Sequence, residues 1–477
     1  MSDTKKVAEN SAIQMIGKIF SMIFGVVGIG IITRYLGQEG FGKYTTIITF
    51  TQIFTVFLDL GLSNVTLKKI SHENDENTEN IISKIFTLRF FLNFLIFLAP
   101  VVVFLFPYSS DIKQGILISS FAFFFTNLIQ ILVVLLQKKL NTISYVIGEV
   151  FSKLIFLLSV IYVVTNSLEL KHILIFSILS NFVYFINVFI GARKYSKIKF
   201  KIDIKFWKDS LIMCWPFALS IILNLIYFRG DTFILSLLKP QADVGIYGAA
   251  YKVLEIYDMF PILFVNLVLP ILDRSYKNGD FERFKRIIQK IFDFFLMISI
   301  PLIFGGILLS KDIIILVAGE KFMKAGGVLQ ILIIAMSIIT FGALFCGLVI
   351  AVNKQKRMTI GYMVAAILSI IGYSLLIPKY SYYGAAITTV IVELIVTVFA
   401  IIIFKKETKF LPSIKSIYKI ILSSIIMFVF IYLLKYELNL DIFITLPSGI
   451  IIYFIVLYLT GGINKEIVNE LKSKNIK

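Results

Sequence analysis

The sequence predicts an all-α polytopic membrane protein of about fourteen transmembrane helices, and three observations predict it. About fourteen apolar segments, most near 20 residues long, are separated by short polar loops, and roughly 20 apolar residues at a 1.5 Å rise cross a hydrocarbon core of about 30 Å. The 477-residue chain is 58% hydrophobic and 16% charged, with a mean hydropathy of +0.90. A soluble domain of that length could not bury so much apolar surface. Lysine and arginine crowd alternate loops, and those beside one set outnumber those beside the other roughly three to one.

The first segment, 11–33, is too long for a signal-peptide core and lacks a small-residue cleavage site, so it reads as a retained helix. An outer turn, RYLGQEGFGKY, leads into the second, 44–65, and 84–106, 114–136, 144–165 and 172–191 complete a first set of six. The lysine-rich stretch KYSKIKFKIDIKFWK at 194–208 is the largest break in hydropathy. Trp207 and Trp215 flank the membrane entry after it, as interfacial aromatics should. Segments 211–238, 245–272, 289–310, 326–352, 358–377 and 383–404 form a second six, with an extra pair at 415–434 and 441–460. The expected organisation is a first lobe over 1–192, a basic cytoplasmic linker over 193–210, a second lobe over 211–408, and two further helices with a cytoplasmic tail over 409–477.

Both halves begin on the same side, which implies parallel repeats in a pseudo-two-fold arrangement about an axis along the membrane normal. Residues 34–46 and 237–255 occupy equivalent junctions, and each places a short outer turn before a Gly-x-Tyr, Gly42–Tyr44 and Gly245–Tyr247. Tyr383-Gly-Ala-Ala echoes Tyr247-Gly-Ala-Ala at another helix start. Small residues there let neighbouring backbones approach closely.

The net charge is +18, but its placement follows the positive-inside rule and puts both termini in the cytoplasm. The basic loops 193–208 and 274–290 are then expected on anionic lipid, with no nucleic-acid partner. The two cysteines, Cys214 and Cys346, fall in apolar segments and read as small buried hydrophobes. The two histidines, His72 and His172, lie near segment ends, so no metal or cofactor site is expected. GQEGFGKY resembles a phosphate-binding loop, but Tyr44 stands where Ser or Thr should meet magnesium and no strand precedes it; a tight turn explains the glycines. The longest outer loop, near 311–324, carries Asp312 and Glu320 without a nucleophile–base pair. That argues against a membrane polymerase or ligase, and no catalytic residue is expected.

Four segments carry polar stripes at helical spacing: Ser11, Gln14, Lys18, Ser21 and Gly25; Thr45, Thr49, Gln52, Thr55 and Asp59; Ser220, Asn224, Tyr227 and Asp231; and Tyr247, Tyr251, Glu255 and Asp258, with Lys252 beside them. Such faces must look at other helices or at water, and their hydroxyls can serve as interhelical glue. Charge says more, because a Lys, Arg or Asp near mid-membrane costs about 2.5–3.5 kcal/mol. Glu149 and Lys153 form an i,i+4 pair, Arg89 can snorkel, Asp59 can cap or pair, and Glu393 is isolated. The remaining cations, Lys18, Arg229 and Lys252, fall in the leading helices of each half with Asp231, Glu255 and Asp258 near them. Clustered cations near the midplane suit a substrate carrying phosphate, and Gln14, Gln52 and Asn224 suit a polar head group.

RYLGQEGFGKY, a span ending in Asp59-Leu-Gly-Leu62, and the mid-chain DVGIYGAAYK at 243–252 together resemble the polysaccharide-flippase branch of the multidrug/oligosaccharidyl-lipid/polysaccharide exporter superfamily. The resemblance covers essentially the whole chain. It implies export of a polyprenyl-pyrophosphate-linked oligosaccharide from the inner to the outer leaflet by alternating access, in a cell membrane that also holds polysaccharide polymerase and assembly proteins. On that reading Lys18, Arg229 and Lys252 hold the pyrophosphate and Gln14, Gln52 and Asn224 the sugar. Asp231, Glu255, Asp258 and Asp59 serve ion coupling or charge pairing. Related peptidoglycan-precursor flippases keep cations in the first, second and eighth helices. Here Lys18 and Lys252 match, while the second span has no central cation. Drug exporters of the same superfamily use acidic cavities, so a cation-coupled multidrug exporter is the alternative.

Overall fold

A chain this apolar must satisfy its backbone within each segment, because hydrocarbon offers no hydrogen-bond partner. In the computed structural model helix is accordingly the only regular structure among the described residues. These are residues 3–71, 73–139 and 141–462, with all their side chains except those of 3–12, Met15, Pro216 and Phe217. His72, the Ser11 side chain and the tail beyond 462 lie outside them.

The helices are α1 (Asp3–Asp59), α2 (Leu62–Ile70), α3 (Asp75–Asn93), α4 (Ala99–Val102), α5 (Ser110–Lys138), α6 (Thr142–Thr165), α7 (Leu170–Arg193), α8 (Ile204–Leu238), α9 (Gln241–Lys277), α10 (Phe281–Ala318), α11 (Ala325–Ala351), α12 (Gln355–Thr408), α13 (Ile417–Tyr432) and α14 (Ile442–Leu459). Twelve helical stretches are long and apolar enough to cross a membrane. Two are far longer than one crossing needs, and each is broken once. The 57-residue α1 breaks at Gly37 (φ 66°), and the 54-residue α12 breaks at Ser381 (φ 50°), three residues after Pro378. Gly37 takes a positive φ without steric cost, so the first glycine of GQEGFGKY serves a turn between helices.

Several helices outrun their apolar segments. α10 covers Phe281–Ala318 where hydropathy marks 289–310, and the expected outer loop near 311–324 shrinks to a few residues around Gly319 (φ 92°). Hydropathy ends where polar residues begin, whereas a helix ends where its caps are. At the N-terminus of α10 the Asp280 carboxylate accepts the Arg283 backbone N–H at 3.1 Å. The third segment continues past α3 as 3-10 turns, Phe94–Leu98 and Val103–Leu105, flanking the single turn of α4.

The backbone packs as two units. One comprises residues up to 248 with 317–321 and 373–382; the other comprises 249–316, 322–372 and 383 onward. The core of the first includes Leu62, Phe86, Leu132, Leu135, Val188 and Cys214, joining α2, α3, α5, α7 and α8. The second holds a cluster of Leu296, Leu309, Ile420, Met427, Ile431 and Tyr453 between α10, α13 and α14. Large apolar side chains such as Phe104, Leu105 and Leu459 point outward, 70%, 83% and 76% exposed, a pattern that only a lipid solvent tolerates over so many residues.

The basic stretch after α7 is not a loose linker. Backbone N–H groups of Lys197, Lys199 and Lys201 donate to Glu79 Oε2 (3.0 Å), Ser83 Oγ (3.2 Å) and Thr87 Oγ1 (2.9 Å) on α3. Two extended residues advance about 6.6 Å and four helical ones about 6 Å, so the two repeats stay in step. Lys84 then pairs with Asp203 at 2.7 Å, and Trp207 Nε1 donates to the Lys84 carbonyl at 2.9 Å.

Candidate functional site

Gly17 and Gly148 set the distances from which a polar cavity in the first unit is built. A Cβ on Gly17 would lie 2.0 Å from Val146 Cγ1, and one on Gly148 would lie 3.0 Å from Asn187 and Tyr184. α1, α6 and α7 therefore approach more closely than larger residues allow. One residue after Gly17, Lys18 Nζ reaches Glu149 Oε1 at 3.0 Å. Glu149 thus takes a partner from another helix, because the close α1–α6 contact brings Lys18 within reach. The cavity measures about 410 Å³, with Lys18, Glu149 and Lys153 among its walls together with Thr126 and Asn181.

The lining is polar and internally tied. Thr126 Oγ1 donates to Asn181 Oδ1 (3.0 Å), Ser152 and Ser180 share a hydrogen bond (2.9 Å), and Thr51 and Ser119 another (2.7 Å). Two ammonium groups, one carboxylate, hydroxyls and an amide converge there. Such a set can hold an anion through charge-assisted bonds and a hydroxylated group through neutral ones. Ser119, Thr126, Ser177, Ser180 and Asn181 were not among the residues singled out from sequence. The signal was present, since 119 and 126 are seven apart and 177, 180, 181 and 184 share a helical face.

The other expected site residues fall in three places. Gln14 lies partly buried one turn before Lys18, and Gln52 is partly buried with its Oε1 unpartnered among the described residues. At the C-terminal end of α1, Asp59 both bonds Ser63 Oγ (2.8 Å) and pairs with Arg89 (2.8 Å). Arg89 also donates to Ser63 Oγ and to Gln130 Oε1 (2.8 Å), and it is 0% exposed. It does not snorkel; α2, α3 and α5 enclose it because Asp59 supplies a countercharge inside the unit.

On α8, Asn224 Nδ2 donates to Tyr227 Oη (2.7 Å), and the Arg229 guanidinium lies 5.4 Å from the Phe228 ring. The fully buried Asp231 accepts from Tyr247 Oη at 2.6 Å, with Arg229 charged nearby. In the second unit Lys252 pairs with Glu255 at 2.6 Å. Asp258 is 5% exposed, and neither of its oxygens has a hydrogen-bond partner among the described residues. Glu393, isolated in sequence, is one of two acids whose field reaches Asp258; Glu255 is the other. Among the described residues no group of three or more His, Cys, Asp and Glu is arranged to hold a metal ion.

The turn at Gly37 and the start of α9 touch backbone to backbone. A Cβ on Gly42 would lie 1.7 Å from the Gln241 carbonyl oxygen, and one on Gly245 would lie 1.9 Å from that of Gln38. Thr46 Oγ1 adds a bond to Gln241 Oε1 at 2.7 Å. The shared Gly-x-Tyr motif therefore extends to Gln-x-x-x-Gly-x-Tyr in both halves, and each glycine sits against the other's glutamine.

Comparison with known proteins places this geometry in context. A family profile described as polysaccharide biosynthesis protein matches residues 7–275, and one described as MatE matches 216–374. The chain is 24% identical over 398 residues to the capsular polysaccharide biosynthesis protein CapF of Staphylococcus aureus, covering 82% of this chain and 97% of that one. It is 24% identical over 412 residues to a putative O-antigen transporter of Shigella flexneri, covering 80% and 94%. Its fold matches the lipid II flippase MurJ in an inward closed conformation with a TM-score of 0.78 at 18% identity, covering 95% and 99%.

Proposed function

Since the chain belongs to the polysaccharide biosynthesis protein family, whose profile spans more than half of it, we propose that it moves a polyprenyl-pyrophosphate-linked oligosaccharide from the inner to the outer leaflet. The observation that carries this reading is the polar cavity at Lys18, Glu149 and Lys153 within membrane-spanning helices. Lipid alone gives no reason to keep two ammonium groups and an amide there. A pyrophosphate calls for the lysines, a sugar for the amide and hydroxyls, and the polyprenyl tail needs no polar partner.

The protein works as a transporter rather than as an enzyme. α1 and α12 each cross twice, divided at Gly37 and Ser381, which makes fourteen crossings arranged as two lobes of six and an extra pair. Both termini face the cytoplasm and transport runs by alternating access, Lys18, Arg229 and Lys252 being the cations offered to the pyrophosphate and Gln14, Gln52 and Asn224 the groups offered to the sugar. Polysaccharide polymerase and assembly proteins take the product on the outer side.

The test is transbilayer movement of a fluorescent polyprenyl-pyrophosphate oligosaccharide in proteoliposomes, comparing wild type with Lys18→Ala and Lys252→Ala variants that insert normally. Movement by the wild type and its loss in the variants supports the reading; equal movement in all three overturns the site. Asp258, buried without a hydrogen-bond partner among the described residues and within the field of Glu255 and Glu393, favours a second reading in which a cation drives export of small molecules. Uptake of an organic cation by vesicles that ignore the lipid donor would establish that one.

A further inference from the structure

The corner between α9 and α10 holds a cavity of about 470 Å³ that the transport reading does not use. The guanidinium-bearing Arg274 and Arg283 line it, with Ser275 and Asn278 between them and Pro270 and Ile271 on its apolar side. Asp273 pairs with Lys277 (2.7 Å) and Glu282 with Lys285 (3.1 Å), while Asp280, which also lines the cavity, accepts the Arg283 backbone N–H through Oδ1 at 3.1 Å. Neither guanidinium forms an ion pair among the described residues, so two planar donor forks stand open at one corner. Arginine forks match phosphate oxygens bidentately, which a lysine cannot do.

A second observation says what kind of phosphate. Phe260, Leu263, Leu267 and Ile271 follow at spacings of 3, 4 and 4 along α9 and are 39%, 39%, 47% and 46% exposed. The next position on that face is Arg274. An apolar track along one side of the helix thus ends at the cavity mouth. At 37 residues α9 is about 55 Å long, more than the hydrocarbon core needs, so its last turns stand at the membrane–water interface.

We propose that Arg274 and Arg283 bind the phosphate of a membrane lipid whose chain lies along the Phe260–Ile271 face. A lipid with a phosphomonoester head suits the site best, because two guanidinium groups match its two charges. This assignment is independent of the substrate reading and of the Lys18 cavity. It rests on the joining of a paired-arginine cavity to an apolar track, and a soluble anion would have no use for the track.

The test is native mass spectrometry of the full chain released from detergent, titrated with phosphatidic acid or phosphatidylcholine of the same acyl chains. Wild type is expected to retain phosphatidic acid with about tenfold preference, and Arg274→Gln/Arg283→Gln to lose it. Lys285→Gln, which removes one positive charge from the same corner, is expected to keep the preference. Loss of equal size in Lys285→Gln would reduce the effect to general surface charge and overturn the site. Displacement by equimolar inorganic pyrophosphate would show a soluble-anion site and overturn the lipid assignment. Leu267→Asn is expected to weaken lipid retention while leaving pyrophosphate binding unchanged, and no weakening would overturn the role of the track. Unaltered melting of each variant shows that the readout concerns binding and not folding.

Discussion

Removing the Arg89 guanidinium leaves the Asp59 carboxylate in a packed unit with Ser63 as its one remaining partner among the described residues. Arg89→Met is expected to lower stability by about 3–5 kcal/mol, because the abandoned charge costs more than the pair contributed. Arg89→Met with Asp59→Asn should recover much of that loss, as read from thermal melting in one detergent. Lys18 and Glu149 make a different prediction, since their pair lines an open cavity. If Lys18 binds a phosphate, the exchange Lys18→Glu/Glu149→Lys restores the pair but leaves flipping at least about tenfold below wild type. Full recovery in the proteoliposome assay would reduce Lys18 to a structural cation. Both charged residues could be picked out from sequence because an intramembrane charge is conspicuous in any apolar run. Their partners could not, since Glu149 lies 131 residues from Lys18 and an i,i+4 lysine offers a nearer match.

The segment that follows α7 shows what hydropathy hides at the scale of an element. Its lysines mark a break between apolar segments, but the structure depends on its backbone N–H groups meeting side chains spaced by four on α3. No composition rule finds that pairing, because the acceptors are ordinary helix residues 114 to 118 positions earlier. Ser83→Ala with Thr87→Val should free the Lys199 and Lys201 amides and cost about 1 kcal/mol for each bond. Hydrogen exchange should quicken at those two amides while Lys197, held by Glu79, stays protected. The clamp at the start of α8 is pH-dependent. The Lys84 ammonium and the Phe206 N–H hold the Asp203 carboxyl below the usual carboxylate range. A depressed acid contributes its stabilisation above its ordinary value, and the contribution fades as pH falls through the lowered one. Protection at the first turn of α8, the exchange rate relative to the unfolded amide at the same pH, should therefore be flat from neutral pH to about pH 5 and fall only in stronger acid; Asp203→Asn should remove that acid step.

Across the whole molecule, the helical membrane architecture was legible because an apolar run of about 20 residues has few other uses. The breaks at Gly37 and Ser381 were legible as junctions, but only Gly37 declares itself by residue type; Ser381 holds a positive φ that serine rarely adopts. The contact between Gly42 and Gly245 was half visible as a repeated Gly-x-Tyr, while the glutamines that receive the glycines became meaningful only in three dimensions. Gly42→Val should force the two backbones apart, since its Cβ would fall inside the Gln241 carbonyl. A Thr45→Cys probe, whose position packs on Gly248, should then react faster with an aqueous maleimide. Unchanged labelling would show that the turn absorbs the side chain elsewhere.

That contact has the logic of an isologous dimer interface fused into a single polypeptide: each partner offers the other the same donor surface and the same acceptor. In a true homodimer one mutation strikes both copies, so neither side can drift alone. Two copies of a motif within one chain carry no such bond: Gln38 donates its amide to the Lys321 carbonyl, while Gln241 receives Thr46, so the two counterparts hold separate duties around a still symmetric seam.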